Sequence, residues 1–308
     1  MKFAVIDIGT NTSRLAVFEV PPGDGFSLVF EKNYITRLGE GVNVSGRLSG
    51  AAVERTLEAL REFSECCGDL GVSRTAAVGT AVLRRAENGA SFLDRARSLG
   101  IDVEVITGEE EGLLVFRGAC SGLKTAHEKI LTIDIGGGST ELVRGGMNRP
   151  EACVSHEIGS VAATERFLHD DPPSARSIEE LKIHSTEIFR KTAGEWAWGG
   201  DHLCIGVAGT ISTLAMIDLE LPEYDPARVH GHRLGLDNVR RLADALLGMK
   251  AERRREIPGI QPKRADIIHA GSAILLALME AFGIGAILVS ECDIRYGLLQ
   301  REISRAGR

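Results

Sequence analysis

Two short stretches of this 308-residue chain place an aspartate two residues before the first glycine of a loop of glycine and small polar residues. Residues 5–15 read VIDIGTNTSRL, and residues 132–142 read TIDIGGGSTEL. Closely spaced backbone N–H groups in such loops suit phosphate oxygens. Because Asp7 and Asp134 alone would repel a phosphate, the pattern predicts a divalent cation between carboxylate and phosphate. One such loop could be an ordinary strand–helix turn, but its repetition favours a binding site.

A run of three glutamates, Glu109, Glu110 and Glu111, follows a Thr-Gly pair and opens a predicted helix. Hydrolysis of a P–O–P bond needs a base that takes a proton from water, and a glutamate beside a phosphate loop can serve. Acids at a helix start are equally typical of simple dipole stabilisation, and periodicity does not choose among the three. Arg84 and Arg85 follow a Gly-Thr pair and are interpreted either as a phosphate clamp or as a solvent-exposed pair.

The elements that would position these groups follow an α/β pattern that restarts halfway along the chain. Each aspartate ends a buried strand, each loop leads into a returning strand, and strand–loop–helix patterns follow in both halves. We therefore expect two duplicated domains across a cleft, at residues 1–123 and 124–295, with the boundary in the polar stretch GLKTAHEK. A helix at about residues 296–308 is expected to pack back on the first domain.

Composition limits the classes of partner. Hydrophobic residues make up 44% and charged residues 26% of the chain, as in soluble globular proteins. A net charge of −7 argues against a general nucleic-acid binder, although a local cluster of arginine and metal could still bind a small anion. The chain begins at once with a strand, and no apolar run reaches membrane-spanning length, so we expect a cytoplasmic protein without membrane contact. A homodimer stays an open option.

The motifs resemble those of the exopolyphosphatase and guanosine pentaphosphate phosphohydrolase family, Ppx/GppA. The similar stretches include VIDIGTNTSRL, VITGEEEGLLVFRGA, TIDIGGGSTEL, GVAGTISTLA and PGIQPKRADIIHAGSAIL, in the order of the family and across nearly the whole chain. The resemblance implies two ribonuclease H-like domains of the actin–Hsp70–sugar kinase superfamily with a cleft between them. It also implies release of terminal phosphate from polyphosphate, or conversion of pppGpp to ppGpp.

The resemblance assigns roles to individual positions. It implies that Glu111 is the catalytic base, that Arg84 is the motif arginine, and that Asp134 and Glu141 are metal-linked acids, to which the first loop adds Asp7. It implies phosphate contacts at Gly9, Thr10, Asn11, Thr12, Gly137, Gly138, Ser139, Thr140, Gly209 and Thr210. The implied cofactor is Mg²⁺ or another divalent cation, with a monovalent cation as a further option, and the implied ligands are polyphosphate and guanosine penta- or tetraphosphate.

The sequence departs from the family pattern at three places. The chain stops after the second α/β domain, where longer relatives add a helical extension, and this favours short polyphosphate chains or nucleotides. Gly112 replaces the usual alanine and is expected to loosen the start of its helix. In the stretch SECDIRYGLL, Glu291 and Cys292 have no clear counterpart. Two alternatives stay open, a non-catalytic sensor of polyphosphate or (p)ppGpp and a kinase of the same superfamily.

Overall fold

The computed structural model describes residues 1–23, 25–123, 127–147 and 149–306. The described part of the first half forms one five-stranded sheet with the order β3-β2-β1-β4-β5. Its strands are β1 (Lys2–Ile8), β2 (Ser13–Glu19), β3 (Ser27–Tyr34), β4 (Arg74–Gly79) and β5 (Val103–Val105). The strands β1, β2 and β3 form antiparallel pairs, whereas β1, β4 and β5 run parallel.

The second half repeats this arrangement in a sheet of six described strands with the order β10-β11-β9-β6-β7-β8. Its strands are β6 (Ile130–Ile135), β7 (Thr140–Gly146), β8 (Arg149–His156), β9 (Leu203–Val207), β10 (Arg233–Gly235) and β11 (Ala286–Val289). Here β6, β7 and β8 pair antiparallel, and β6, β9 and β11 run parallel, so five strands reproduce the first sheet and β10 adds an edge. The chain therefore has two actin-like α/β domains, as predicted.

Helices cover both sheets. In the first half they are α1 (Val42–Ser45), α2 (Gly50–Asp69), α3 (Ala81–Arg85), α4 (Gly89–Ser98) and α5 (Gly108–Gly122). In the second half they are α6 (Ser160–Phe167), α7 (Ala175–Glu195), α8 (Ala208–Asp218), α9 (Pro226–Val229), α10 (Leu236–Leu247), α11 (Ala251–Arg254), α12 (Ile268–Phe282) and α13 (Ile294–Ala306). A 3₁₀ turn spans Pro262–Arg264. No described helix combines the length and apolar character that a bilayer crossing needs.

Helices α5 and α13 lie between the two sheets and share one apolar core with both of them. The two helices approach closely because each has a glycine at the contact. A Cβ atom on Gly118 would lie 2.0 Å from the carbonyl oxygen of Asp293, and one on Gly297 would lie 1.9 Å from that of Leu114. Helix α13 also packs on β1, which places the end of the chain against the first half. We propose a domain boundary between residues 123 and 124, and residue 124 lies outside the described residues.

Gly112 has a different role from the one that we expected. Its helix, α5, begins with a complete capping box, in which the Thr107 hydroxyl accepts from the Glu110 N–H and the Glu110 carboxylate accepts from the Thr107 N–H. A Cβ atom on Gly112 would lie 2.8 Å from the Cys153 sulfur and 3.1 Å from a Val143 methyl group. The glycine therefore lets α5 lie directly on β7 and β8, and the helix start is anchored rather than loosened.

Candidate active site

The two repeated loops have the same backbone turn. The Gly9 N–H donates to the Thr12 carbonyl and the Gly136 N–H donates to the Ser139 carbonyl, both at 3.0 Å. Each turn directly follows a strand, β1 in the first half and β6 in the second. The local backbone conformation is thus duplicated along with the sheets, which explains why nearly the same motif occurs twice in the sequence.

The loops meet face to face across the boundary between the two halves. A Cβ atom on Gly138 would lie 2.6 Å from the Thr10 hydroxyl, and one on Gly137 would lie 3.2 Å from the Asn11 nitrogen. Within the described part of the chain, no group accepts a hydrogen bond from the N–H of Thr10, Asn11, Gly137 or Gly138. Four backbone donors therefore remain available beside one another, as an anion-binding site requires.

A cleft opens at this meeting point, and most of the predicted site residues line it. The first half contributes Asp7, Gly9, Thr10, Asn11, Thr12, Arg14, Thr80 and Glu111 to its walls. The second half contributes Asp134, Ile135, Gly136, Gly137, Gly138, Ser139, Ser160, Ala208, Gly209, Thr210 and Arg264, and the segment before α13 contributes Asp293 and Ile294. Arg84, Thr140 and Glu141 are the predicted site residues outside this lining.

The structure separates the three glutamates that the sequence pattern left equivalent. Glu109 is exposed, and Glu110 is engaged in the capping box of α5. Glu111 is 8% exposed and reaches the cleft from the first turn of α5. Burial raises the pKa of Glu111 above its ordinary value, although Arg84 and the Thr80 hydroxyl stabilise the ionised form. A carboxylate in this setting is suited to take a proton from water near neutral pH.

Arg84 lies behind Glu111 rather than in the cleft. Its Nη1 atom donates to the Glu111 Oε2 at 2.8 Å and to the Ile106 carbonyl at 2.9 Å. The second contact fixes the guanidinium to the end of the strand segment before α5. The geometry therefore favours a role for Arg84 in orienting the base, whereas the neighbouring Arg85 is bonded to Asn43 at 3.0 Å.

Three further carboxyl groups lie close to Glu111 and to one another. Burial raises the pKa of Asp7 to about 7, although Arg14 acts in the opposite direction. Burial, reinforced by Glu111, holds the pKa of Asp134 well above its ordinary value. Burial followed by repulsion from Glu111 and Asp134 does the same for Glu141. The cluster costs free energy when it is ionised, so a cation there would be strongly favoured.

The donor set fits a divalent cation, although no three of the described His, Cys, Asp and Glu side chains form a metal-binding group on their own. Glu141 Oε2 is buried without a hydrogen-bond partner, while Oε1 accepts from the Ser155 hydroxyl at 2.6 Å. The Asn11 side-chain oxygen is likewise buried and unpartnered. Since Mg²⁺ usually takes only one or two protein carboxylates and completes its shell with phosphate and water, these acids suit it.

Thr140 does not contact the cleft. Its side chain is fully buried, and its hydroxyl donates to the Ile158 carbonyl at 2.5 Å. Thr140 is also the first residue of β7 and pairs with Ile135 in the ladder. The loop therefore ends one residue earlier than the motif suggested, at Ser139, and the Thr140 hydroxyl points to the protein interior rather than to the cleft.

The Gly-Thr loop at the start of α8 makes room for an arginine. A Cβ atom on Gly209 would lie 2.1 Å from the Arg264 Nη1, so the glycine leaves the space that this guanidinium occupies. Ala208, just before it, has φ of 71°, a conformation that costs energy for any residue but glycine. Thr210 is buried and its side chain packs on Gly271. The loop thus brings the guanidinium of Arg264 to the cleft, where its Nη2 lies 3.4 Å from the Thr12 hydroxyl.

Comparison with known proteins identifies the relatives of the chain. A protein-family profile described as the Ppx/GppA phosphatase family matches residues 16–306. The chain belongs to the Ppx/GppA phosphatase family. It is 33% identical to a Mycobacterium tuberculosis protein named exopolyphosphatase 2, over 96% of this chain and 97% of that protein. This agrees with the resemblance that the motifs indicated and shows an exopolyphosphatase-like hydrolase of the short form.

Solved structures of Ppx/GppA proteins have the same fold. The Aquifex aeolicus family member superposes with a TM-score of 0.84 at 32% identity, over 100% of this chain and 99% of that one. An exopolyphosphatase from Cytophaga hutchinsonii superposes with a TM-score of 0.90 at 27% identity, over 99% and 98% of the two chains. The cleft of this Ppx/GppA member therefore lies in a fold that the family shares from end to end.

Three charged residues of this family member lie in the cleft although the sequence motifs did not indicate them as site residues. Arg14, Arg264 and Asp293 all line the cleft, and each comes from a different region of the chain. Burial, assisted by Arg14, lowers the pKa of Arg264 to about 10, which leaves it charged at neutral pH. Arg14 lies within the motif VIDIGTNTSRL, four residues after Thr10, and this position is the sequence signal that could have identified it as a site residue.

Proposed function

We propose that this protein is a phosphoanhydride hydrolase that releases orthophosphate from the end of inorganic polyphosphate, with short chains preferred, or converts pppGpp to ppGpp. The observation that carries the proposal is the placement of Glu111. Its buried carboxylate reaches the cleft where two anion-binding loops face each other, and Arg84 holds it from behind. Relatives over nearly the whole chain are named exopolyphosphatases.

In the proposed reaction, the terminal phosphate lies between the loops and accepts hydrogen bonds from the free N–H groups of Thr10, Asn11, Gly137 and Gly138. Glu111 takes a proton from a water molecule, and the oxygen of that water attacks the terminal phosphorus. The bond between that phosphorus and the bridging oxygen breaks, and the bridging oxygen leaves with the shortened chain. Orthophosphate is the other product.

Asp134 and Glu141, with Asp7 opposite, would hold the divalent cation, which we propose to be Mg²⁺. When bound, the cation neutralises charge on the phosphoryl oxygens. The residues of the chain also contribute directly to this neutralisation, because Arg264 and Arg14 line the same cleft. With four carboxylates facing them, these two arginines do not balance the charge of the cleft alone, which supports a requirement for added cation.

The test is release of orthophosphate by purified protein with MgCl₂ from tripolyphosphate, long-chain polyphosphate and pppGpp, measured separately. Release from at least one of them supports the proposal, and the pattern identifies the preferred substrate. Tight binding of these ligands without release would favour the sensor alternative. Transfer of the terminal phosphate of a nucleoside triphosphate to a sugar or an acid would favour the kinase alternative.

A further inference from the structure

The catalytic cleft continues into a second cavity, and the same few residues line both. The shared residues are Thr12, Arg14, Ala208, Gly209, Arg264 and Asp293. The second cavity extends to Tyr224 and Glu291, which are hydrogen-bonded to each other. If the terminal phosphate lies between the loops beside Glu111, the rest of the substrate must pass this junction.

We propose that Asp293 is a positioning residue that fixes the guanidinium of Arg14 at the junction, where Arg14 contacts the phosphate next to the one released. This inference rests on the proposed function. It gives Asp293 a role that the sequence motifs do not assign to it.

Arg14 is held by a single side chain. It lies on β2 directly opposite Asp7, and its Nη1 donates to the Asp293 Oδ2 at 2.5 Å. Among the described residues, no other group accepts a hydrogen bond from the Arg14 side chain. Its remaining guanidinium N–H groups are therefore available to phosphate oxygens, for which a planar fork of donors is well suited.

Asp293 is itself held on its other oxygen. Its Oδ1 accepts from the backbone N–H of Arg295 at 3.0 Å and from the Arg295 Nε at 2.9 Å. Arg295 in turn donates to Glu31 on β3 at 3.0 Å. These contacts form a row of four side chains that leads from the surface of the first sheet to the cleft: Glu31, Arg295, Asp293 and Arg14. Their charges alternate in sign, and the net charge of the row is zero.

This alternation explains how a carboxylate can stand beside a phosphate site. Burial alone would raise the pKa of Asp293, but Arg295 and Arg14 together hold it below its ordinary value. The carboxylate stays ionised and is neutralised by two guanidinium groups, so it presents little free negative charge to a ligand. It can therefore orient Arg14 without repelling the substrate.

A purely structural role for Asp293 makes a different prediction. In that case Asp293 would only neutralise Arg295 and cap the start of α13, and its loss would lower stability without a specific effect on the ligand. The two roles differ in how substitutions at positions 14 and 293 combine, because a residue that acts only through Arg14 has no effect once Arg14 is gone.

The experiment measures binding of tripolyphosphate with MgCl₂ by calorimetry in the Glu111→Gln background, and KM and kcat of the active protein. Arg14→Met and Asp293→Asn are each expected to raise Kd and KM by about 10-fold or more, with a smaller change in kcat. The double variant is expected to match Arg14→Met alone. Glu31→Gln, which changes the outer end of the row, is the matched control and should leave Kd nearly unchanged.

Asp293→Glu replaces Asp293→Asn in this experiment if Asp293→Asn folds poorly. It keeps the charge but displaces the Arg14 guanidinium, so it should also raise KM. Additive effects of the two substitutions, or an Asp293 variant with lower thermal stability and unchanged Kd and KM, would overturn the inference while leaving the proposed function intact. If the parent protein neither binds nor hydrolyses any polyphosphate, the proposed function and this inference fail together.

Discussion

Arg14 and Glu141 occupy the same position in the two halves of the molecule and carry opposite charges. Arg14 pairs with Asp7 between β2 and β1, and Glu141 pairs with Asp134 between β7 and β6. At this position the first half therefore pairs an acid with a base, and the second half pairs two acids. The duplication supplied two similar loops, and this exchange of charge places a guanidinium beside Asp7 where the second half has a carboxylate beside Asp134.

Loss of the base should abolish turnover. We expect Glu111→Gln to reduce kcat by at least ~10²-fold, about 3 kcal/mol in the barrier, because glutamine keeps the shape but accepts no proton. Glu109→Gln is the matched control, since the same chemical change is made on the exposed side of the same helical turn. Phosphate release near the parent rate by Glu111→Gln would exclude it as the base.

Asp134 and Glu141 should determine how much cation the reaction requires. We expect Asp134→Asn to raise the MgCl₂ concentration for half-maximal activity several-fold, and Glu141→Gln to raise it less, because Asp134 lines the cleft and Glu141 lies behind it. A titration of activity against MgCl₂ for each variant measures this. Unchanged titrations in both would show that the cation is anchored elsewhere.

Arg84 should set the pH dependence of the reaction. Arg84 stabilises the ionised form of Glu111 against the effect of burial, so its removal should raise the pKa of Glu111 further. Since Glu111 must be ionised to accept a proton, the acidic limb of kcat/KM should move to higher pH in Arg84→Met. Arg85→Met is the control, because Arg85 bonds to Asn43 instead. An unshifted limb in Arg84→Met would contradict the orienting role.

The metal-free protein should lose stability as pH rises. A carboxyl with a higher pKa in the folded state binds more protons there, so the free energy of unfolding falls as pH rises between the unfolded and folded pKa values. For Asp7 this interval runs from 3.8 to about 7. We expect Tm in EDTA to fall between about pH 4 and about pH 7, and MgCl₂ to reverse most of the loss.

Glu141 offers a sharper form of the same measurement. Its unpartnered Oε2 is buried among other acids, so Glu141→Gln should raise Tm in EDTA at about pH 8 and have less effect at about pH 5. Ser155→Ala, which removes the hydroxyl bonded to the other oxygen, should act in the opposite direction. A destabilised Glu141→Gln at high pH would show that the acid cluster is not a source of strain.

The sequence was sufficient for the fold and for most of the cleft because these depend on local patterns. The repeated strand-Asp-Ile-Gly motif predicted two like domains, and both loops follow the strands that it indicated. The choice of Glu111 came from family resemblance alone, yet Thr107 and Glu110 have the spacing of a capping box, which would have removed Glu110 from the candidates. The capping-box spacing is therefore a local signal that distinguishes Glu110 from Glu111.

The remaining site residues depend on contacts that no local pattern contains. Arg14 meets Asp293 across 279 positions of sequence, and Arg264 meets Thr12 across 252. Whether a polar residue after a strand faces a cleft or a core, as for Thr140, depends on where the ladder resumes pairing. That is set by β8 and the carbonyl of Ile158, which lie in a later part of the chain.

The glycine contact between α5 and α13 has a consequence for how the cleft can move. Glu111 begins one of these helices and Asp293 precedes the other, and backbone touches backbone where they cross at Gly118 and Gly297. Two helices in such contact can neither slide nor roll without collision. Glu111 and Asp293 are therefore held at a fixed distance from each other, and any opening or closing of the second half would leave that distance unchanged.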